Sequence, residues 1–170
     1  MSDGPDADAA DLARKELRAW LADHFTPEVR DAVAYRQEGT AHVIPFDALR
    51  AWNAELFDAG WAAPSWPAAH GGRDAGILEQ LACNDEMAAA GAPGPVNAIG
   101  VANIAPAIMT YGTPEQQERF LAPMLRGDHI WSQGMSEPEA GSDLASLRCR
   151  GELDGDDIVV TGQKTWNSNG

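Results

Sequence analysis

"GMSEPEAGSD", residues 134–143, is the stretch that divides the chain. It contains two glycines, two serines and three acidic residues around a single proline. Neither a helical period nor a strand alternation runs through it, and such a composition is typical of a loop. Helical patterns run to about residue 127 and strand patterns begin near residue 129, so this loop lies just after the change from one kind of structure to the other.

Helical periodicity and capping signals recur throughout residues 1–127. Thr26 and Thr113 each precede a proline and are predicted N-caps, and Gln116 completes a capping box with Thr113. Asp74 is predicted to cap another helix. The predicted helices cover residues 8–24, a short segment from residue 27, and residues 46–59, 74–90, 97–110 and 113–125.

Apolar spacing predicts which of these segments are buried. The helix at 97–110 is apolar on most sides, which indicates a central, buried position. Trp61 and Trp66 lie in the Pro- and Gly-rich connection "WAAPSWPAAHGG", and both are predicted to pack on the core. The helix at 74–90 is predicted to turn four apolar side chains inward, namely Ile77, Leu78, Leu81 and Met87.

Strand patterns begin near residue 129. "HIWSQGM", residues 129–135, is strand-like, and two further apolar runs flank Asp154-Gly155, a hairpin-turn signal. Helices followed by strands are typical of an α+β protein. We therefore predict an all-helical N-terminal domain at 1–127, in which residues 1–8 fray, followed by the first strands of a second domain at 128–170.

Composition excludes several classes of function. The net charge is −14 and the 12 basic residues are dispersed, a distribution that disfavours nucleic-acid binding. No apolar run approaches the ~20 residues needed to span a membrane, and the acidic N-terminus lacks a signal-peptide pattern. Cys83 and Cys149 form no CxxC motif and no histidines are paired at helical spacing, so we expect a cytoplasmic protein without a metal site.

The loop at residues 134–143, called the dividing loop below, is rich in groups that can bind a ligand. Ser136, Gly141 and Ser142 offer hydroxyl groups and backbone N–H groups that no large side chain shields. Such a surface suits an anionic oxygen or the edge of a heteroaromatic ring. The alternative is a plain turn in which Asp143 makes an Asx-type hydrogen bond.

A resemblance favours the first interpretation. "WSQGMSEPEAGSDLASL", residues 131–147, resembles the flavin-binding signature of the acyl-CoA dehydrogenase family, and "GQKTWNSNG", residues 162–170, resembles a second motif of that family. "GWAAPSWPAAHGG" and "YGTPEQQERFLAPMLRGDHIW" resemble its helical domain. The four motifs stand in the family's order and cover nearly all of the chain from about residue 12. The resemblance implies that the second domain is β-barrel-like.

The resemblance also implies FAD as the cofactor and a role for each motif. Ser136 would bind the pyrimidine edge of the flavin ring, and Ser142 would reach the FAD pyrophosphate close to the substrate's thioester chain. Trp166 would lie against the ring, and Ser168 would address its O4 and N5 atoms. The family commonly has Ile or Thr at the position of Asn167. The implied cofactor contacts are Gln133, Met135, Ser136, Gly141, Ser142, Trp166, Asn167 and Ser168.

The acyl pocket of the family includes the start of the apolar helix, "GAPGPVNAIG", residues 91–100. Ser142, Gly94 and Ala98 are therefore the implied substrate contacts. Small residues there leave room for a medium, long or bulky acyl group, although they equally suit close helix packing.

The implied reaction is oxidation of an acyl-CoA thioester to the trans-2-enoyl-CoA. In the family, a glutamate in a C-terminal helical bundle removes the α-proton, the flavin takes the β-hydride, and an electron-transfer flavoprotein accepts the electrons. That bundle lies outside this sequence, so we expect no catalytic base here. The alternatives are a flavin oxidase or monooxygenase of the same fold, or a non-catalytic subunit of a heteromeric dehydrogenase; a homo- or hetero-oligomer is expected.

Three charged residues within the motifs are given no catalytic role. Glu137 and Glu139 flank Pro138, and turn chemistry with solvent exposure explains them better than a paired general base. Lys164 is interpreted as a surface or strand-pairing residue. For Trp166, the alternative to flavin contact is a core position at a strand end.

Overall fold

The structure is a computed structural model that describes residues 5–38 and 41–167, without the side chains of residues 5, 36–38 and 41–43. The chain divides into two compact units, and the boundary along the sequence lies between Ile130 and Trp131. The first unit is mostly helical, although it contains a short hairpin where an all-helical domain was predicted, and a second antiparallel hairpin lies in the second unit. The predicted α+β class is confirmed.

The first unit is a helical assembly with one short hairpin. Its elements are α1 (Pro5–His24), α2 (Pro27–Val33), β1 (Arg36–Glu38), β2 (Ala41–Val43), α3 (Phe46–Asp58), a 3₁₀ turn (Ala68–His70), α4 (Ile77–Ala90), a π-helical turn (Gly100–Ile104), α5 (Ala105–Tyr111) and α6 (Pro114–Arg126). Helix α1 packs along α4, and α3 packs against α2 and α6. The strands β1 and β2 pair in an antiparallel manner.

The helix starts agree with the capping signals in two places. The Thr26 hydroxyl accepts a hydrogen bond from Val29 N, and Thr113 exchanges hydrogen bonds with Gln116 in a capping box. Residues 5–8, for which fraying is expected, belong to α1 in the structure. Asp74 is not a cap: its carboxylate accepts from Ala68 N at 3.2 Å, and α4 begins after Gly76.

The core of the first unit forms where α3 and α6 meet. Trp52 and Leu56 of α3 are at most 2% exposed, as are Leu121 and Leu125 of α6. The connection after α3 lies on this core, and its two tryptophans, Trp61 and Trp66, are 7% and 6% exposed, as predicted.

The inward face predicted for α4 is wrong. Ile77, Leu78 and Leu81 are 68%, 43% and 51% exposed, and Met87 is half-buried. The side chains that α4 buries are Ala82, Cys83 and Glu86. Periodicity identifies an apolar stripe, but the short side chains of a helix can be the ones that permit close packing against its neighbour, here α1.

The helix predicted over 97–110 is interrupted and only partly buried. Residues 100–104 form a π-helical turn, in which the Ala105 N–H donates to Gly100 O. The turn precedes Pro106, which has no N–H and whose ring would crowd the carbonyl group of Ala102 in a regular α-helix. Of these residues, Gly100 and Ala105 are buried, whereas Ala102 and Pro106 are exposed.

The second unit contains a hairpin of β3 (Arg150–Asp154) and β4 (Asp157–Thr161). The hairpin is confirmed, but its turn lies one residue later than predicted, because Asp154 pairs with Asp157 and the two turn residues are Gly155, with a φ of 62°, and Asp156. Both strands are exposed along their whole length. Residues 129–135 are irregular and form no strand in the part of the chain that is described, so that prediction is wrong.

None of the helices in the described ranges combines the length and apolar character that crossing a bilayer requires.

Candidate functional site

The dividing loop contains a tight reverse turn. Glu137 N donates to Ala140 O at 2.8 Å and Ala140 N donates to Glu137 O at 3.1 Å, while Ala140 itself is 3% exposed. Gly141 and Ser142 follow in an exposed bend, and a Cβ atom built on Gly141 would meet nothing within 4 Å. The turn therefore ends in open backbone and an accessible hydroxyl group.

The Asx alternative is not what the structure shows at Asp143. Its side chain makes no capping hydrogen bond at the start of the short 3₁₀ turn that follows. Instead its carbonyl oxygen accepts from the N and Oγ atoms of Ser146, at 3.3 and 2.9 Å. The turn is thus stabilised by the backbone of Asp143 and the side chain of Ser146.

Glu137 lies at the centre of the loop's hydrogen bonding. Its carboxylate accepts from Arg148 N at 2.7 Å, from Cys149 N at 2.8 Å and from Lys164 Nζ at 2.9 Å. The Arg148 N–H first, and then the Lys164 ammonium and the Cys149 N–H, lower the pKa of Glu137 to about 2. The side chain is only 8% exposed, so the expectation of a solvent-exposed acid is wrong for Glu137.

Glu139 behaves as the sequence predicts. Its carboxylate is 78% exposed and lies 3.1 Å from the guanidinium group of Arg148, which is 81% exposed. Solvent weakens such a pair, so it contributes little to stability.

The second motif runs beside the first. Thr165 N donates to Ser136 O at 2.9 Å, and Lys164 Nζ donates to Met135 O at 2.9 Å. A Cβ atom at Gly134 would lie 3.3 Å from the Lys164 side chain and 3.6 Å from Asn167 Oδ1. The structure therefore brings residues 134–137 and 164–167 together, and Lys164 connects the two segments rather than facing solvent alone.

Trp166 projects from this junction. Its φ of 59° is in the left-handed region, which is uncommon for a bulky residue, and its side chain is 88% exposed. The core alternative for Trp166 is therefore wrong. Backbone strain of this kind persists only where the surroundings impose it, and it is frequent at ligand contacts.

The other predicted contacts are accessible to different degrees. Met135 is 45% exposed, Gln133 and Ser136 are half-buried, and Asn167 is exposed. Ser168 lies outside the described residues.

In the first unit, buried side chains hold the segment that contains Gly94 and Ala98. Trp52 Nε1 donates to Pro93 O at 2.9 Å, and Asn53 Oδ1 accepts from Val96 N at 3.1 Å. Asn97 Nδ2 donates to Met124 O and to His129 O. Gly94 and Ala98 are both exposed, and a Cβ atom on Gly94 would meet nothing within 4 Å.

A groove of about 510 Å³ lies elsewhere in the first unit, and neither Gly94 nor Ala98 lines it. Its walls come from the connection after α3, from α4 and from the π-helical turn with α5. Trp66, Asn84, Val101, Pro106 and Met109 are among the residues that form it.

The sequence did not reveal the structural roles of four polar residues that organise these segments: Glu137 and Lys164, which were interpreted as surface or turn residues, and Asn53 and Asn97. The first two stand inside the quoted motifs, where a carboxylate and an ammonium group 27 positions apart could have suggested a pair. The two asparagines gave no comparable signal, because nothing local distinguishes a buried amide on a helix or in a loop from an exposed one.

The fold and the site together define a class: a helical domain that leads into a loop-and-hairpin unit in which two loop motifs meet. A model of the acyl-CoA dehydrogenase N-terminal domain matches residues 7–128. Because this match covers most of the sequence, the chain belongs to the acyl-CoA dehydrogenase family.

Relatives agree with this assignment. The acyl-CoA dehydrogenase IpdE1 of Mycobacterium tuberculosis is 42% identical over 155 residues, which cover 91% of this chain and 40% of IpdE1. The ChsE4-ChsE5 complex from M. tuberculosis matches with 39% identity and a TM-score of 0.73, over 98% of this chain and 40% of the matched chain. The Tcur3481-Tcur3483 steroid ACAD matches with 34% identity and a TM-score of 0.69, over 97% and 40%.

This chain thus spans about 40% of the length of these relatives.

Proposed function

We propose that this chain supplies flavin contacts and part of the acyl pocket of an FAD-dependent acyl-CoA dehydrogenase, which oxidises an acyl-CoA to the trans-2-enoyl-CoA and passes electrons to an electron-transfer flavoprotein. The observation that carries the proposal is the junction of the two motifs, at which Thr165 N binds Ser136 O and Trp166 projects outward.

The residues at the junction fit FAD. An exposed indole ring offers a face for the flavin ring, and Ser136 offers a hydroxyl group beside it. The open backbone at Gly141 and the hydroxyl of Ser142 offer donors to a pyrophosphate group. Two of the three acids in the loop are paired with cations, which reduces the repulsion that a bound anion would meet.

Each residue then has a defined task. Bound FAD would supply the hydride acceptor for oxidation of the thioester. Ser136, together with Ser168 of the second motif, would direct hydrogen-bond donors at the ring, where negative charge increases during the reaction. Trp166 would fix the ring's position, and Ser142 would hold the pyrophosphate. No base is assigned within this chain.

Binding of FAD to the natural protein that contains these residues tests the assignment. Trp166→Ala should weaken FAD binding by about tenfold, because the ring would lose an aromatic contact. Leu153→Ala, which truncates an 83% exposed side chain on β3, is the matched control and should leave the dissociation constant unchanged. Equal affinities of the wild type and Trp166→Ala would contradict the flavin contact.

The substrate is proposed to be medium, long or bulky. A Cβ atom on Gly94 would meet nothing within 4 Å and Ala98 is exposed, so both leave room for a large group, and one structural neighbour is described as a steroid ACAD. Turnover of butyryl-CoA, a long-chain acyl-CoA and a steroid side-chain CoA by the natural protein would decide this. A preference for butyryl-CoA would overturn the proposal.

A second candidate is a subunit of a heteromeric dehydrogenase in which another chain provides the catalytic base. Of the two solved structures described above, one is the ChsE4-ChsE5 complex and the other is described by two joined names, Tcur3481-Tcur3483. Copurification of a second acyl-CoA dehydrogenase-like chain, without which flavin reduction is lost, would favour this candidate. Full activity of a single polypeptide would exclude it.

A further inference from the structure

Glu137 and Lys164 form a pair that differs from the other ion pair of the same loop. Their side chains are 8% and 25% exposed, and their charged atoms lie 2.9 Å apart. The neighbouring pair of Glu139 and Arg148 is 78% and 81% exposed. Charge-assisted hydrogen bonds are stronger when water is excluded. The inner pair, Glu137 and Lys164, should therefore stabilise the loop more than the outer pair, Glu139 and Arg148.

The inner pair is hydrogen-bonded to the backbone next to the proposed flavin contact Ser136. Lys164 Nζ also binds Met135 O, the carbonyl group that precedes Ser136 in the chain. One residue further along both segments, Thr165 N donates a hydrogen bond to Ser136 O. Thr165 immediately precedes Trp166 in the chain. Lys164 therefore holds the first motif by two acceptors, one on the backbone and one on Glu137.

Glu137 extends the same network in the other direction. Its carboxylate accepts from Arg148 N and Cys149 N, the two residues that precede β3. Without Lys164, this covered carboxylate would lose its only neutralising side chain among the described residues, and Met135 O would lose this partner. Networks of this kind fix local geometry when every member is satisfied and loosen it when one is removed.

We propose that Glu137 and Lys164 are a positioning pair that holds Ser136 and Trp166 together as a single flavin-contacting surface. In this role the pair acts through the two residues that it holds and needs no contact of its own with substrate or cofactor. The inference rests on the proposed function, because it assigns a support for that same site.

Two substitutions separate positioning from a simple effect of charge. Lys164→Met removes a cation and Glu137→Gln removes an anion, so a through-space charge effect would shift the midpoint potential of bound FAD in opposite directions. Loss of positioning would instead shift the potential to more negative values in both variants, because misplaced donors stabilise the reduced flavin less. We expect the second pattern, together with at least tenfold weaker FAD binding in each variant.

The experiment uses the natural protein, with FAD affinity measured by fluorescence titration and the midpoint potential by dye equilibration at saturating FAD. Glu139→Gln changes the exposed carboxylate of the same loop and is the matched control, with unchanged affinity and potential. Lys164→Arg retains the positive charge and the hydrogen-bond donors, so it should keep most of the FAD affinity that Lys164→Met loses. The double variant should be no weaker than the worse single variant by more than about twofold, because both changes break one network.

The outcomes are distinct. A wild-type protein that binds no FAD would contradict the proposed function itself. A wild-type protein that binds FAD, with Lys164→Met and Glu137→Gln matching its affinity and potential, would overturn only the positioning role. Opposite shifts of potential with unchanged affinity would also overturn it, in favour of a charge effect.

Discussion

At the scale of single residues, buried amide groups decide how the proposed acyl-pocket segment is held. Asn53 is fully buried, and both ends of its amide are used: Nδ2 donates to Leu125 O at 2.8 Å and Oδ1 accepts from Val96 N. One side chain thus connects α3 to the end of α6 and to the segment before the π-helical turn. Buried amides with both ends satisfied have little tolerance for substitution.

Asn53→Ala should lower the free energy of unfolding by about 2 to 4 kcal/mol, because the buried carbonyl group of Leu125 and the partly buried N–H group of Val96 would both lose their partners. Urea denaturation of the natural protein measures the change. Asn84→Ala, at an exposed position of α4, is the control and should change the free energy by less than about 0.5 kcal/mol. A similar small change for Asn53→Ala would show that water replaces its hydrogen bonds.

A second residue-scale prediction concerns Ser168, whose role rests on the motif alone. Hydrogen bonds near N5 and O4 favour the reduced flavin. Ser168→Ala in the natural protein should therefore slow flavin reduction by acyl-CoA while FAD stays bound. Stopped-flow absorbance records the rate, and reduction at the wild-type rate would count against the assigned hydroxyl.

At the scale of elements, structures that depend on a few neighbouring residues could be predicted from the sequence. The buried face of a helix could not, because it depends on which other elements pack against that helix. The capping box at Thr113 and the β3–β4 hairpin are local, and both are present. The apolar side chains of α4 do lie along one stripe, but periodicity does not show whether another element covers that stripe. Ile77, for example, is 68% exposed. The π-helical turn was missed because the apolar spacing concealed the effect of Pro106 on the preceding turn.

The candidate site shows the same division. The motifs assign flavin binding to two segments, and this assignment stays a prediction; the structure places those segments, residues 134–137 and 164–167, beside each other. The carboxylate of Glu137 could not be placed from the sequence, because its partners at Arg148 and Cys149 become neighbours only when the chain has turned. Burial of a charged group depends on such non-local partners.

The contact between α1 and α4 makes stability depend on pH. Arg18 binds both carboxylate oxygens of Glu86 at 2.8 and 2.6 Å, and this hydrogen bonding lowers the pKa of Glu86 in the folded state. A carboxyl group with a lowered pKa stabilises the fold above its unfolded-state pKa of about 4.3. That stabilisation is lost as the pH falls through the lower folded-state value.

Glu86→Gln should therefore be less stable than the wild type at pH 7, by about 1 to 2 kcal/mol, since Arg18 is largely exposed and solvent screens part of the pair. The difference should shrink as the pH falls below about 4. Thermal unfolding at a series of pH values measures it. Asp85→Asn, at a 73% exposed position of the same helix, should show no such trend, and a constant difference for Glu86→Gln would refute the linkage.

At the scale of the whole molecule, apolar surface is exposed in both units. The α4 stripe contains Ile77, Leu78 and Leu81, and the hairpin of the second unit exposes Leu153 and Ile158 at 83% and 66%. Large exposed apolar patches mark surfaces that associate with other chains or segments. A two-stranded hairpin also has unpaired edges, which favour association.

We therefore predict that residues 1–170 expressed alone aggregate, bind FAD weakly and do not oxidise acyl-CoA. Neither glutamate of the first motif is available as a general base in the described residues, since Glu137 is held in the loop by three hydrogen bonds and Glu139 is paired at the surface. Size-exclusion chromatography and flavin bleaching with an artificial electron acceptor test the prediction. Sustained turnover by the purified chain alone would show that a base lies within it.

The outward projection of Trp166 also makes it an optical reporter. The sequence contains six tryptophans, and Trp52, Trp61 and Trp66 are at most 7% exposed, whereas Trp166 is 88% exposed. An indole ring in water emits at longer wavelengths than one in an apolar core and is quenched by dissolved iodide. The red edge of the emission spectrum should therefore come largely from Trp166, and under the proposed function it should dim selectively when the isoalloxazine ring covers that indole.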